Sequence, residues 1–262
     1  MTYFKTTEFL AEVEKGNVPG HSTFHKFGRN ASVGTSFVPI ASQGFYRTPQ
    51  AASATALRVK AGGDANDTAA GSGARSINLQ GLDETGALVN ETIATAGASA
   101  SSASTTTFMR LFRAYVVDSG TYGSATAGSH SGDIVIENSA GTEDWTTIFA
   151  TDFPRGQSEI GAFTVPLGKS AYLYSYGMTS DSTKVFDWMF FKRESILDAS
   201  APYEAMRLQF EGVGILEQYN EHLGVPYKFP ALTDIGIMAK VDTGTADMSA
   251  EFELLLVDNT YL

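Results

Sequence analysis

The chain has 262 residues, enough to bury a sizeable core as one large all-β domain or two small domains. Charged residues make up only 18% and the formal net charge is −11, a field that repels phosphate backbones and argues against nucleic acid as a partner. With no cysteine, disulfides, thiolate metal sites and a cysteine nucleophile are excluded.

Glycine, alanine, serine and threonine fill the space left by charge, the composition of a turn-rich β protein. Residues 1–10 lack the apolar centre of a signal peptide, and no run approaches the ~20 apolar residues of a membrane span. The sequence therefore predicts a soluble chain not addressed for secretion. One helix is expected near the start. Thr6 or Thr7 can cap it, Glu8 suits its first turn, and Phe9, Leu10 and Val13 share a face. Gly16-Asn17 and Pro19-Gly20 end it. A helix of about ten residues is marginal alone in water and needs a surface to pack on.

Residues 21–50 read as an extended arm, punctuated by Gly28, Gly34, Pro39, Gly44 and Pro49 and with little alternation. So long an irregular stretch is uncommon inside a compact domain. It is expected to lie along a neighbouring subunit, or else to wrap its own sheets. Residues 1–50 thus form one expected unit, helix and docking arm, and residues 51–262 a β-sandwich domain.

From Ala56 onward the pattern is β. Leu57 and Val59 alternate with polar neighbours, then Ile77 and Leu79, then 89–93, and 108–117 is one long strand or two abutting ones. Ile134 and Ile136 pair with 145–149 across the turn formers Asn138, Ser139, Ala140 and Gly141. Tyr172, Tyr174 and Tyr176 fall on one face at period two, as do Phe186, Trp188 and Phe190. Met206, Leu208 and Phe210 alternate with Arg207, Gln209 and Glu211. Ile235, Ile237 and Val241 line one strand, and Phe252, Leu254 and Leu256 another, with Glu251 and Glu253 outward. One buried and one wet face is the antiparallel pattern. Two segments break it: 94–106, almost wholly Ala, Ser, Thr and Gly, reads as a flexible or surface-lying loop, and 217–230 as a helical turn or irregular crossing loop.

Each candidate for chemistry has a structural counterpart. His21 and His25 are four apart, a zinc-ligand spacing on a helix, but Pro19-Gly20 and Gly28 argue against a helix there. No glutamate adjoins either in the metalloprotease pattern; His130 and His222 complete the histidines. Asp64-Ala65-Asn66-Asp67-Thr68 starts like a calcium loop. It then places Ala69 where glycine is needed and Arg75 where a bidentate glutamate belongs, so a polar turn is the competing reading. Gly71-Ser72-Gly73 has no phosphate-loop lysine after it and reads as a hairpin. No Gly-x-Ser-x-Gly elbow occurs. A glycosidase would need two carboxylates about 5–10 Å apart, which sequence neither places nor excludes. The tyrosine face and Trp188 suit a sugar platform or, more commonly, a core.

Three groups of motifs carry a resemblance. The first is Asn17-Val18-Pro19-Gly20-His21 with His25-Lys26-Phe27-Gly28-Arg29-Asn30 and Val33-Gly34-Thr35. The second is Ala65-Asn66-Asp67-Thr68-Ala69-Ala70-Gly71-Ser72-Gly73-Ala74-Arg75, with Gly81-Leu82-Asp83 and Asn90-Glu91-Thr92. The third is Ile235-Gly236-Ile237-Met238-Ala239 and Leu254-Leu255-Leu256-Val257-Asp258. Together they resemble tailed-bacteriophage virion structural proteins over nearly the whole chain. The resemblance implies a particle component located in the virion and carries no catalytic residues.

The resulting expectation is an all-β protein: an antiparallel, jelly-roll-like β-sandwich with an N-terminal helix and extended arm, acting as a non-enzymatic phage structural protein. The first role expected is a capsid decoration or cement protein, docked through the arm, homo-oligomeric, and partnered by the major capsid protein or tail components. The alternative is a tail- or fibre-associated protein contacting a host-surface glycan through Tyr174 or Trp188. A polysaccharide-degrading enzyme is a third reading. No catalytic, cofactor-binding or metal-binding residue is assigned, and neither nucleic acid nor membrane is an expected partner.

Overall fold

The computed structural model describes residues 6–45, 54–121, 128–150, 155–181, 183–198 and 200–262. The end of the expected arm, 46–50, and the side chains of Thr6 and Thr7 proposed as caps lie outside the described parts. The described residues are mostly β and antiparallel, with one short α-helix. It opens with α1 (Thr6–Glu14), β1 (His21–Val33) and β2 (Val38–Pro39). Seven strands follow: β3 (Thr55–Val59), β4 (Ala74–Leu82), β5 (Leu88–Ala94), β6 (Thr107–Phe108), β7 (Arg110–Ser119), β8 (Ile134–Asn138) and β9 (Asp144–Ile148). The last seven are β10 (Ala162–Thr164), β11 (Lys169–Ser180), β12 (Val185–Arg193), β13 (Arg207–Leu216), β14 (Gln218–Phe229), β15 (Asp234–Val241) and β16 (Ala246–Asp258), closed by a 3-10 turn at Asn259–Tyr261.

Two bodies result. The first is built from β1, β2 and β10–β16. One of its sheets runs β1-β16-β11-β14; the other runs β10-β15-β12-β13, with β2 also pairing on β15. Their inner faces share one core, in which Leu173, Phe190, Ile237, Phe252 and Leu254 are fully buried. The second body is built from β3–β9, which fall between β2 and β10 in the chain. Its sheets, β6-β3-β8-β9 and β5-β4-β7, enclose a separate core around Leu57, Ile77, Leu79 and Ile136. Leu82, Met109 and Phe112 of this segment reach into the first core, where the Phe112 ring lies 4.7 Å from that of Phe163.

The stretch read as an arm is part of the first body. β1 pairs antiparallel with β16 from His21↔Val257 to Val33↔Ala246, and β2 pairs with Met238 and Ala239. The stretch therefore lies on its own sheets, the second of the two expected placements, and β1 is the end strand of its sheet, paired with β16 along one edge. The irregular punctuation has a local cause at Gly28. A Cβ there would lie 2.0 Å from the Ile40 carbonyl oxygen and 2.2 Å from Gly161 N, so β1 crosses a point where only glycine fits.

Bulges explain the other departures. Leu173 pairs with Leu254 and Ser175 with Glu253, leaving Tyr174 as an extra residue. A one-residue insertion reverses the side-chain faces beyond it. Tyr172 and Tyr174 stay half-buried on the outer face, while Tyr176 turns into the core. In β13, Phe190 pairs with Phe210 but Phe191 with Leu208. Phe210 packs on the core, whereas Met206 and Leu208 remain about half exposed, against their expected burial. Residues 218–229, read as a turn or loop, are β14.

The serine-rich segment 94–106 is tied to β3. Ser101 Oγ accepts Val59 N–H and Ser104 Oγ accepts Leu57 N–H, both at 2.9 Å, while the two serine amides donate to the same residues' carbonyls. Short hydroxyl side chains here replace a missing strand.

Candidate functional site

The outer face of the β1-β16-β11-β14 sheet carries a run of adjoining concavities. At one end α1 and the C-terminal turn sit over the sheet: the Phe9 ring meets His21 edge-on at 5.9 Å, and His21 meets Tyr261 at 6.4 Å. Beneath them is a cavity of about 620 Å³ lined by Phe9, Leu10, Tyr172, Tyr174, Leu255 and Tyr261, among others. It adjoins a polar cavity of about 320 Å³, sharing His222 with it and lined by Ser175, Asn220, Glu251 and Glu253. A third, of about 280 Å³, shares Asn220 and Glu251 and ends at Glu159. The three form one trough, apolar and aromatic at one end and acidic at the other.

Strand alternation places these groups. β16 turns Phe252 and Leu254 inward, so Glu251 and Glu253 stand outward between them. Ser175 Oγ donates to Glu253 Oε2 at 2.8 Å. Burial, with the negative charge of Glu253 beside it, pushes the Tyr174 hydroxyl up to about 12. His25 Nε2 lies 3.4 Å from Glu251 Oε2. The Lys228 ammonium sits 5.8 Å from the Tyr172 ring centroid, within cation–π range. Burial raises the Glu159 carboxyl above the usual range despite Arg155 nearby, and its Oε2 has no hydrogen-bond partner among the described residues.

The structure separates most of the residues singled out from the sequence. His21 and His25 are on one face of a strand, so four residues set them roughly 13 Å apart. His21 Nδ1 is 2.9 Å from the Pro19 carbonyl oxygen. His130 is buried in the second body, its Nδ1 2.7 Å from Ser129 Oγ; burial lowers its pKa against the opposing charge of Asp67. The 64–68 segment is a turn: Asp64 Oδ1 accepts Asn66 N–H at 2.8 Å. The Asp67 carboxylate is buried and accepts the amides of Ala74, Ser131 and Gly132 at 2.7–2.9 Å. Among the described residues no cluster of three His, Asp or Glu is arranged to hold a metal ion. No described helix is long and apolar enough to cross a membrane. Trp188 is 1% exposed within the first core and cannot face a ligand, which corrects its assignment to a sugar platform. Tyr172 and Tyr174 do face the trough, and His222, Asn220 and the 259–262 turn are members that strand periodicity alone did not point to.

No protein-family model matches the chain, and no curated protein matches it. Among solved structures, "Structure of infectious bursal disease virus Gt strain" aligns at 11% identity over 95% of this chain and 77% of that one, with a TM-score of 0.25. A superposition that loose bears on neither fold nor function.

Proposed function

We propose that the protein is a non-catalytic structural component of a tailed-phage particle, a capsid decoration or cement protein built on a jelly-roll sandwich. The strand order carries this reading. β2 and β10 both pair with β15, and can be counted as one strand interrupted by the second body. The first body then has eight strands in chain order. One sheet reads first, eighth, third, sixth; the other reads second, seventh, fourth, fifth. That is the order of a double Greek-key jelly roll, an architecture used by viral capsid domains. The motif resemblance to virion proteins supports the same assignment. Because β1 is an end strand paired along one edge only, neighbouring capsid or tail subunits would be met by its outer edge and by the body's other exposed surfaces, with the second body as an added module. The test is quantitative mass spectrometry of particles banded from a lysate of the host carrying the gene. The chain is expected among the structural proteins at a fixed stoichiometry. Its absence from infectious particles would overturn the reading.

A second reading, a tail- or fibre-associated protein contacting a host-surface glycan, is favoured by one observation. Tyr172 and Tyr174 line the trough whose polar end holds Asn220, Glu251 and Glu253. Aromatic faces beside hydrogen-bonding carboxylates suit a sugar ring. Binding on a glycan array, lost in Tyr174→Ala, would support it; silence across a broad array would remove it.

A further inference from the structure

One side of the first body is closed by two edge strands: β13 ends one sheet and β14 the other, and Phe210 meets Tyr227 between them at 5.5 Å. Thirteen large apolar side chains are exposed among the described residues, and six lie between 206 and 227. They are Met206, Leu208, Val213, Leu216, Val225 and Tyr227, from 37% to 83% exposed. Monomers rarely show a contiguous apolar patch beyond a few hundred Å².

The most exposed of the six are pushed out by bulges. Phe186 pairs with Ile215 and Trp188 with Gly212, so Val213 and Gly214 together oppose Asp187. Gly214 takes a positive φ of 70° and donates its amide to Asp187 Oδ1, which leaves Val213 70% exposed. On β14, Leu173 pairs with Tyr227 and Ser175 with His222, so residues 223–226 oppose Tyr174 alone. Val225 stands in that excursion at 83% exposure. Bulges re-aim side chains and blunt an edge against strand addition. The edge is therefore shaped for side-chain packing.

We propose that the β13–β14 edge is a self-association surface whose occupant is the same edge of a second copy of this chain. The area argues for the second copy. With roughly 200 Å² for a fully exposed large side chain, the six expose on the order of 600–700 Å² of apolar surface. A stable interface of ordinary size takes about 800 Å² from each partner. Adding the rim of Arg207, Glu211 and Gln218, one edge supplies what each half of a two-fold, isologous pair needs. The proposal rests on the assembly reading above.

The test is sedimentation velocity of the full chain from low to high micromolar concentration, with far-UV circular dichroism as the folding control. The wild type is expected to associate reversibly into dimers or larger multiples. The double variant Val213→Glu/Val225→Glu is expected to keep the native spectrum and weaken association about a hundredfold or more, through like charges facing across the two-fold. Leu167→Glu, at another exposed apolar position, should leave association unchanged. A wild type monomeric throughout, or a folded double variant that associates as before, overturns the surface. A monomer still recovered in particles leaves the assembly reading standing without this surface. Association by a chain absent from particles keeps the surface and removes that reading.

Discussion

Arg110 and Asp234 form a fully buried ion pair that fastens the two bodies together. Arg110, on β7, donates Nε to Asp234 Oδ1 and Nη2 to Oδ2, each at 3.1 Å, and both residues are 0% exposed. Asp234, on β15, also accepts Thr164 Oγ1 at 2.7 Å and Arg193 Nη2 at 2.9 Å. A buried pair of this kind adds little over a well-packed apolar replacement, but breaking it strands a charge. Asp234→Ala leaves the Arg110 guanidinium without its carboxylate and should destabilise by about 3–5 kcal/mol. Arg110→Met leaves Asp234 still held by Arg193 and Thr164, so its effect should be smaller. Urea midpoints followed by tryptophan fluorescence check this; equal midpoints for the two variants would contradict the asymmetry.

Lys26 makes a second buried link. It is 2% exposed, and its ammonium donates to the Phe112 carbonyl oxygen in the second body. Burial, reinforced by the positive charge of Arg113, holds its pKa well below the ordinary lysine value of 10.5. The folded state therefore binds this proton less tightly than the unfolded state. Its stabilising contribution is complete above 10.5 and is lost as pH falls through the depressed folded value. In wild type minus Lys26→Met, urea midpoints compared at neutral and alkaline pH should rise with pH. A pH-independent difference would mean that Lys26 is charged at no penalty.

Gly28→Ala tests the crossing of β1 over residues 40 and 161. The added methyl would meet backbone on both sides, at 2.0 and 2.2 Å, and backbone cannot swing aside. A loss of about 2–3 kcal/mol is expected from overpacking. Gly34→Ala, with open space around it, should stay within about 0.5 kcal/mol of wild type. Similar thermal midpoints for the two variants would show that the crossing tolerates a side chain.

Asp67→Asn replaces a carboxylate that receives three backbone amides with a group that turns a donor toward some of them. A loss of about 2–3 kcal/mol is expected for charge-assisted hydrogen bonds. Because that carboxylate is already engaged, calcium chloride should leave the wild-type melting temperature unchanged. A clear rise on adding calcium would place a cation in the 64–68 turn instead.

Where alternation runs unbroken, the sequence was readable. Phe252, Leu254 and Leu256 face inward and Glu251 outward, and the 138–141 turn joins β8 to β9 with Gly141 at a positive φ of 72°. Tyr176 and Leu208 depart from simple alternation because a bulge shifts register without any composition signal. β14 is masked in the sequence by Gly224 and Pro226, which look like loop residues yet sit in its excursion from β11. The division into two bodies was hidden because the second sits inside what would be a single strand, leaving β2 and β10 too short to show a period. The trough was legible only as tyrosines and alternating glutamates; its depth comes from α1 and the 259–262 turn folding over the sheet. The Arg110–Asp234 pair joins residues 124 apart, and nothing local announces it.

As the proposed structural subunit of a phage particle, this chain is expected on the virion itself. An image reconstruction of the intact virion, at a resolution that separates strands, is the decisive measurement. Density for two joined β bodies is expected at repeated positions on the particle surface, with β13–β14 edges of neighbouring copies facing each other. A complete, infectious particle with every surface density assigned to other chains would contradict it.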